Sequence, residues 1–174
     1  MYIFDKIDKL IVDVLLEDGR KPSSEIARLI SVSERSVRYR MDRLIEKGII
    51  NISAVVNPKT LGFSVVADIF IEVEPRSIFE TAKKIADFEQ VTYVACSIGD
   101  RDISVQIVSH DTDELYNFVT EVISKIPGVR KTTTSIVPLI IKDVYKWHIP
   151  TTSMENPTNK KPSRKNKENV NNHA

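Results

Sequence analysis

Between residues 5 and 18 the apolar side chains Ile7, Leu10, Ile11, Val14 and Leu15 recur at three- and four-residue spacings, the period of a helix with one buried face. Asp5 is placed to cap its start and Gly19 to end it. Pro22 and Ser23 open a second, shorter helix that offers Ile26, Ala27, Leu29 and Ile30 to a core. Ser31-Val32-Ser33 reads as a tight turn, and Ser33 as the N-cap of a third helix that runs to about Lys47 and stops at Gly48. Residues 49–56 are rich in β-branched side chains and predict a linker strand, followed by a turn at Asn57-Pro58-Lys59.

A different pattern begins at Ser64. Residues 65–74 predict a strand closed by Pro75, and Ile78, Phe79, Ala82, Ile85 and Ala86 mark an amphipathic helix. Residues 91–98 and 103–109 predict a hairpin around Gly99-Asp100-Arg101-Asp102. Asp111 or Thr112 caps a helix bearing Leu115, Phe118, Val119, Val122, Ile123 and Ile126, stopped by Pro127-Gly128. A last strand is predicted over 129–141, bent at Pro138. The order βαββαβ is the ferredoxin-like arrangement. The fold class expected is therefore α+β, a (winged) helix-turn-helix unit followed by a ferredoxin-like domain. Both alternations of 91–98 are apolar, with Val91, Tyr93 and Ala95 set against Val94, Cys96 and Ile98. That favours a sheet covered on both faces, the second by a partner subunit. After Pro150 the chain turns to Thr, Ser, Asn, Pro and Lys, the composition of a disordered tail. The division expected is 1–62, 63–149 and a basic tail over 150–174.

Composition narrows the classes. The 174 residues are 41% apolar, enough for cores, yet no apolar run approaches the roughly 18 residues of a membrane span. The N-terminus lacks the basic-then-apolar pattern of a secretory signal. Cys96 is the only cysteine and lies in an apolar run, which excludes an intramolecular disulfide, suggests packing, and suits a reducing cytoplasm. The net charge of +1 hides an uneven distribution: +2 over 1–62, −4 over 63–149 and +3 over 150–174. A mildly positive first unit suits contact with phosphates.

On a helical wheel of the third helix, Val37, Met41, Leu44 and Gly48 share the side facing the first two helices. Arg35, Tyr39, Asp42 and Glu46 lie opposite, and Arg40 lies toward the core edge. The N-terminal residues of a recognition helix reach deepest into the major groove. Arg35, Ser36 and Tyr39 are therefore assigned to base edges, Arg38, Arg40 and Arg43 to phosphates, and Ser33 to the same interface at the cap. The competing reading is a solvated face on which Asp42 and Glu46 neutralise neighbouring arginines. Ser31 occupies the turn position that commonly holds glycine.

Read together, the two halves resemble the leucine-responsive/asparagine-regulator (Lrp/AsnC, feast/famine) family of prokaryotic transcription regulators. The resemblance covers about residues 3–145. It rests on Ile7-Asp8-Lys9-Leu10-Ile11, Leu16-Glu17-Asp18-Gly19-Arg20, Glu25-Ile26-Ala27, Val32-Ser33, residues 37–44, Glu46-Lys47-Gly48-Ile49-Ile50 and residues 57–62. In the second half it rests on Gly99 and Asp102, Ile126-Pro127-Gly128-Val129, and Thr132, Thr134, Ile136 and Val137. It implies double-stranded DNA as partner, homodimers that assemble into tetramers or octamers, and an amino acid effector bound between second domains. By position, the effector site it implies comprises Gly99, Asp100 and Asp102 with Thr132 and Thr134. Asp102 would pair with an α-ammonium, and turn amides and threonine hydroxyls would take a carboxylate. Arg101 stands where family members commonly carry an aromatic residue. It would either grip an acidic ligand or mark a sensor that has changed or lost its effector.

Two other classes compete. A low-specificity, DNA-organising oligomer would use the same helix, with the basic tail adding phosphate contacts. An enzyme would need a nucleophile and base such as Cys96 and His110, but no elbow or oxyanion motif accompanies them. His110, His148 and His173 lack metal-ligand spacing, and there is no Gly-rich phosphate loop or zinc cysteine pair. No cofactor or metal is expected.

Overall fold

Asp5 fixes the start of the first helix. In the computed structural model, which describes residues 2–150, its carboxylate accepts the N–H groups of Ile7 and Asp8, while the Asp8 carboxylate accepts the N–H of Asp5. This reciprocal capping box satisfies donors that the first turn of a helix leaves free. Three helices follow: α1 (Lys6–Glu17), α2 (Ser23–Ile30) and α3 (Glu34–Glu46). Ser33 caps α3 by accepting the Ser36 N–H at 3.2 Å. Ile11, Val12, Ile26, Ala27, Val37 and Leu44 form the core between them. Ile11, Ile26, Ala27, Val37 and Leu44 lie on the stripes the periodicity marks; Val12 does not, and Leu10 and Leu29, expected at the core, are exposed.

Ser31, the C-cap of α2, adopts φ 58 and ψ 44, the left-handed region. A Cβ costs roughly 1–2 kcal/mol there, and glycine escapes the cost. Ser31→Gly is expected to stabilise the chain by about 1 kcal/mol, read as a raised melting temperature in a thermal unfolding scan. An unchanged or lowered melting temperature would show that the hydroxyl or the lost chain stiffness matters more.

Residues 49–56 form no strand in the described chain. Their β-branched side chains satisfy only half of what a strand requires, since a ladder also needs a partner. Ile52, Val55 and Val56 are exposed.

Two compact units make up the described chain. One is Val55–Lys142, and the other joins the residues up to Ala54 to those from Asp143 onward. Ile149 packs against the three-helix core. The remaining elements are β1 (Val65–Val73), α4 (Ile78–Ala86), β2 (Val91–Cys96), β3 (Ile103–Ser109), α5 (Thr112–Asn117) and β4 (Val129–Ile136). After Asn117, α5 continues as a π-helical turn at Phe118–Val122 and a 3-10 turn at Ile123–Lys125. The antiparallel sheet runs β2-β3-β1-β4, with the two hairpin strands adjacent and β1 central, as the ferredoxin-like reading requires. Ile69, Ile71, Val73, Ile103, Val105 and Ile107 point to one face and pack with Ala82, Ile85, Leu115, Phe118 and Ile123 of the helices. At the turn before β4, Gly128 has φ 91 and accepts the Glu74 N–H at 2.9 Å.

Three expectations are corrected. β4 ends at Ile136, because Pro138 has no N–H to extend the ladder beyond the Val137-to-Val66 bond. The second sheet face is not uniformly apolar: Asp68, Glu72, Ser104, Gln106, Lys131 and Thr133 share it with Phe70 and Tyr93. Only β2 alternates apolar on both sides. Cys96 is exposed rather than packed, because β2 is an edge strand. The expected disorder and DNA role of the tail concern residues 151–174, outside the described residues.

Candidate nucleic-acid interface and effector loop

Burying Val37 and Leu44 fixes the rotation of α3, and with it what the helix shows outward. Arg35 and Arg38 are exposed, and Tyr39 is 60% exposed. Arg35 makes no ion pair among the described residues. Arg38 bonds to Glu34 one turn earlier at 2.5 Å. Arg43 lies between two rings, 5.6 Å from Tyr2 and 5.8 Å from Tyr39, and donates to the Tyr39 hydroxyl at 3.2 Å. Its buried Nε has no hydrogen-bond partner among the described residues. Ser33 and Ser36 sit at the cap, next to Arg35.

Arg40 differs from the other arginines. Its Nη1 donates to Asp5 Oδ2 and to Asp8 Oδ1, both at 2.8 Å. The Asp8 side chain is fully buried and the Arg40 side chain is 24% exposed. The hydrogen bonds to Asp8 and Asp5 hold the guanidinium even more firmly protonated than usual. Burial alone would raise the pKa of Asp5, but the Asp8 N–H and the Arg40 guanidinium hold it below its ordinary 3.8. Burial and then a hydrogen bond to Asp8 push the Tyr2 phenol up to about 12. Arg40 thus ties α3 to the capping box of α1, and its guanidinium is not presented to a phosphate as the sequence alone suggested.

In the second unit, Gly99, Asp100, Arg101 and Asp102 join β2 to β3. Gly99 has φ 151. The Asp102 N–H donates to Ile71 O, and its carboxylate accepts the Val73 N–H at 2.8 Å, beside the register shift that separates Glu72 from Val73. Asp102 therefore seals the end of β1 as well as standing in the loop. Asp100 is 93% exposed on its side chain. Thr132 lies opposite Ile71, which on its other side faces Ile103, so Thr132 and the loop share one end of the sheet. Thr134, opposite Ile69, lies one step further in.

The residues beside the loop that sequence reasoning missed are Phe70, Ser104 and Thr133. Ser104 and Thr133 flank Phe70 in register, and directly opposed residues point to the same face. The Arg101 guanidinium lies over Phe70 at 4.2 Å from the ring centroid. Thr132 and Thr134 point to the opposite face, so simple alternation would have selected Thr133 as Arg101's neighbour.

Residues 4–51 match the model for winged helix-turn-helix DNA-binding domains, and residues 66–146 match that for the Lrp/AsnC ligand binding domain. The HTH-type transcriptional regulator LrpA of Pyrococcus abyssi is 39% identical over 134 residues, covering 76% of this chain and 95% of that protein.

The chain belongs to the Lrp/AsnC family.

An uncharacterized HTH-type transcriptional regulator of Pyrococcus furiosus is 37% identical over 146 residues, 83% of this chain and 96% of the relative. Among solved structures, E. coli AsnC superposes with a TM-score of 0.76 at 24% identity, covering 83% of this chain and 99% of its own. A Neisseria meningitidis regulator in complex with L-methionine gives a TM-score of 0.75 at 24% identity, covering 80% and 92%. The protein is a transcription regulator with a DNA-binding helix-turn-helix and an Lrp/AsnC ligand-binding domain.

The Cys96–His110 pairing of the enzyme reading fails on geometry. Cys96 pairs with Ile103 at one end of β3, and His110 follows Ser109 at the other, about 20 Å away along the strand. His110 instead bonds to Glu114 at 2.8 Å and stacks on Phe63. An open groove between α4 and the end of α5 borders none of the six proposed effector residues. No helix among the described residues is long and apolar enough to cross a membrane.

Proposed function

We propose that this Lrp/AsnC regulator reads specific DNA sequences through its three-helix unit and answers to an amino acid held by its sheet unit, Val55–Lys142. The observation that supports sequence reading is the outward edge of α3. Arg35 and Tyr39 are exposed one turn apart near its N-terminus, Arg35 without an ion pair among the described residues. A planar guanidinium there can take guanine O6 and N7 together, which discriminates by roughly 1–3 kcal/mol. Arg38 and Arg43 flank it as phosphate contacts, with Ser33 and Ser36 at the cap. Arg40 supports the helix from behind.

The effector would bind at the hairpin turn, its α-ammonium near Asp100 and Asp102 and its α-carboxylate on turn amides, while Thr132 and Thr134, on the opposite face of the sheet from Arg101, fall outside that set. Copies would pair as homodimers and assemble further into tetramers or octamers. That spaces recognition helices along one face of a pseudo-palindromic site. Effector binding between copies would change assembly and so the geometry presented to DNA.

Footprinting on the DNA upstream of the protein's own gene tests this reading. The wild type should protect stretches spaced by about one helical turn, ~10 base pairs. An Arg35→Ala/Tyr39→Ala variant of equal melting temperature should lose at least ~10-fold in affinity for them. Equal protection by the variant would remove α3's outward edge from base reading. For the effector, Asp100→Ala is the cleaner probe, since Asp102→Ala would also free the Val73 N–H.

A further inference from the structure

Arg101 is a cation that its own domain orients without a hydrogen-bonded carboxylate, its ion pair with Asp100 being a 4.0 Å contact. Its guanidinium rests 4.2 Å above the Phe70 ring, and its side chain remains 43% exposed. Stacking on a ring fixes the plane of a guanidinium and leaves its N–H edge free to donate. The neighbouring carboxylates have other engagements. Asp68 accepts the Gln106 amide at 3.0 Å, Glu72 accepts the Lys131 ammonium at 3.2 Å, and Asp102 accepts the Val73 N–H at 2.8 Å. Asp100 approaches the Arg101 Nε only to 4.0 Å, too far for a hydrogen bond, and is itself nearly fully exposed. Ser104 and Thr133 place hydroxyl groups on either side of the ring that carries Arg101.

A planar fork of donors beside two hydroxyls is suited to a carboxylate. We propose that the effector is an acidic amino acid, aspartate or glutamate, whose side-chain carboxylate is held by Arg101 over Phe70 with Ser104 and Thr133 beside it. The inference rests on the effector reading above, which assigns the α-ammonium and α-carboxylate to the turn. Arg101 then supplies a second anion site, absent for a neutral ligand. Asp100 and Asp102 would face the ligand's ammonium and Arg101 its side-chain carboxylate, so any gain for an acidic ligand comes from the Arg101 contact and not from the loop's net charge of −1.

Calorimetric titration of the full chain with L-glutamate, L-aspartate, L-leucine and L-methionine provides the test, with Arg101→Met and Asp100→Ala alongside. A charge-assisted hydrogen bond contributes roughly a 10- to 100-fold preference. Glutamate or aspartate should bind the wild type at least about 10-fold tighter than either neutral amino acid. Arg101→Met should abolish that preference, while Asp100→Ala should weaken every amino acid alike. Neutral amino acids binding as tightly as acidic ones would overturn the acidic assignment and leave the effector reading standing. Binding of none of the four would overturn both. Unchanged acidic-ligand affinity in Arg101→Met, with an altered sedimentation coefficient, would assign Arg101 to a contact between copies and overturn the proposal.

Discussion

Arg40→Ala is expected to destabilise the helix-turn-helix unit by about 3 kcal/mol, at the lower end of what losing one partner of a buried ion pair costs. The substitution leaves the fully buried Asp8 carboxylate without its guanidinium, and frees the capping carboxylate of Asp5 as well. The partial exposure of Arg40 is the reason for choosing the lower end. Denaturant unfolding monitored by helix signal measures the loss. Adding Asp8→Asn to Arg40→Ala should recover part of it, because the stranded charge is then removed. An unchanged stability together with uniformly weaker DNA binding would return Arg40 to a phosphate contact. The clamp also has a pH signature. The Asp5 carboxyl is held below its ordinary 3.8, so its stabilising share is complete above that value and is lost as pH falls through the folded-state value. The wild-type unit should therefore lose stability below about pH 4 more steeply than Arg40→Ala does.

Gly128→Ala should cost the second unit about 2–4 kcal/mol. A Cβ at this position would lie 2.7 Å from Ser77 Cβ and 2.8 Å from Ser77 Oγ. The first of these is fixed to the backbone, so no side-chain rotation relieves it. The φ of 91 adds conformational strain for any residue but glycine. The same turn accepts the Glu74 N–H, so displacement would also loosen the exit of β1. Thermal unfolding followed by near-ultraviolet circular dichroism reports the effect. Ser77→Gly added to Gly128→Ala should restore the steric share and leave the backbone share of about 1 kcal/mol. A Gly128→Ala protein as stable as the parent would show that the turn relaxes freely.

The element order was readable because each element repeats its local period; the division at 62 and 149 was not, since Val55–Lys142 forms one compact unit. Val37, Met41 and Leu44 mark the inner side of α3, and Ile69, Ile71 and Val73 the inner side of β1. What escaped notice depends on partners distant in sequence. Asp8 looks like any polar residue in a first turn, and only folding brings it to Arg40, 32 positions away. Residues 49–56 have strand composition, but composition does not supply a ladder. At the effector loop, Thr132 and Thr134 were selected by resemblance, whereas the pleat puts Thr133 on the face that holds Phe70 and Arg101. Close approach explains Gly128 better than the Pro-Gly pair alone does, and that approach involves Ser77, which no local pattern connects to it.

The clamp has a bearing on how the protein finds its sites. α3 carries four arginines against three carboxylates, and one of the four is committed to α1. A reader with so little spare charge gains little from the uniform phosphate lattice of bulk chromosome, which attracts cations at every sequence alike. On the proposed reading its dwell time on irrelevant stretches would be short, and the contrast between a cognate site and the background would rest on base-edge contacts. A single such unit would search quickly and hold weakly. Stable occupancy would then require several units engaging one stretch together, as the proposed assembly supplies, each raising the local concentration of the next.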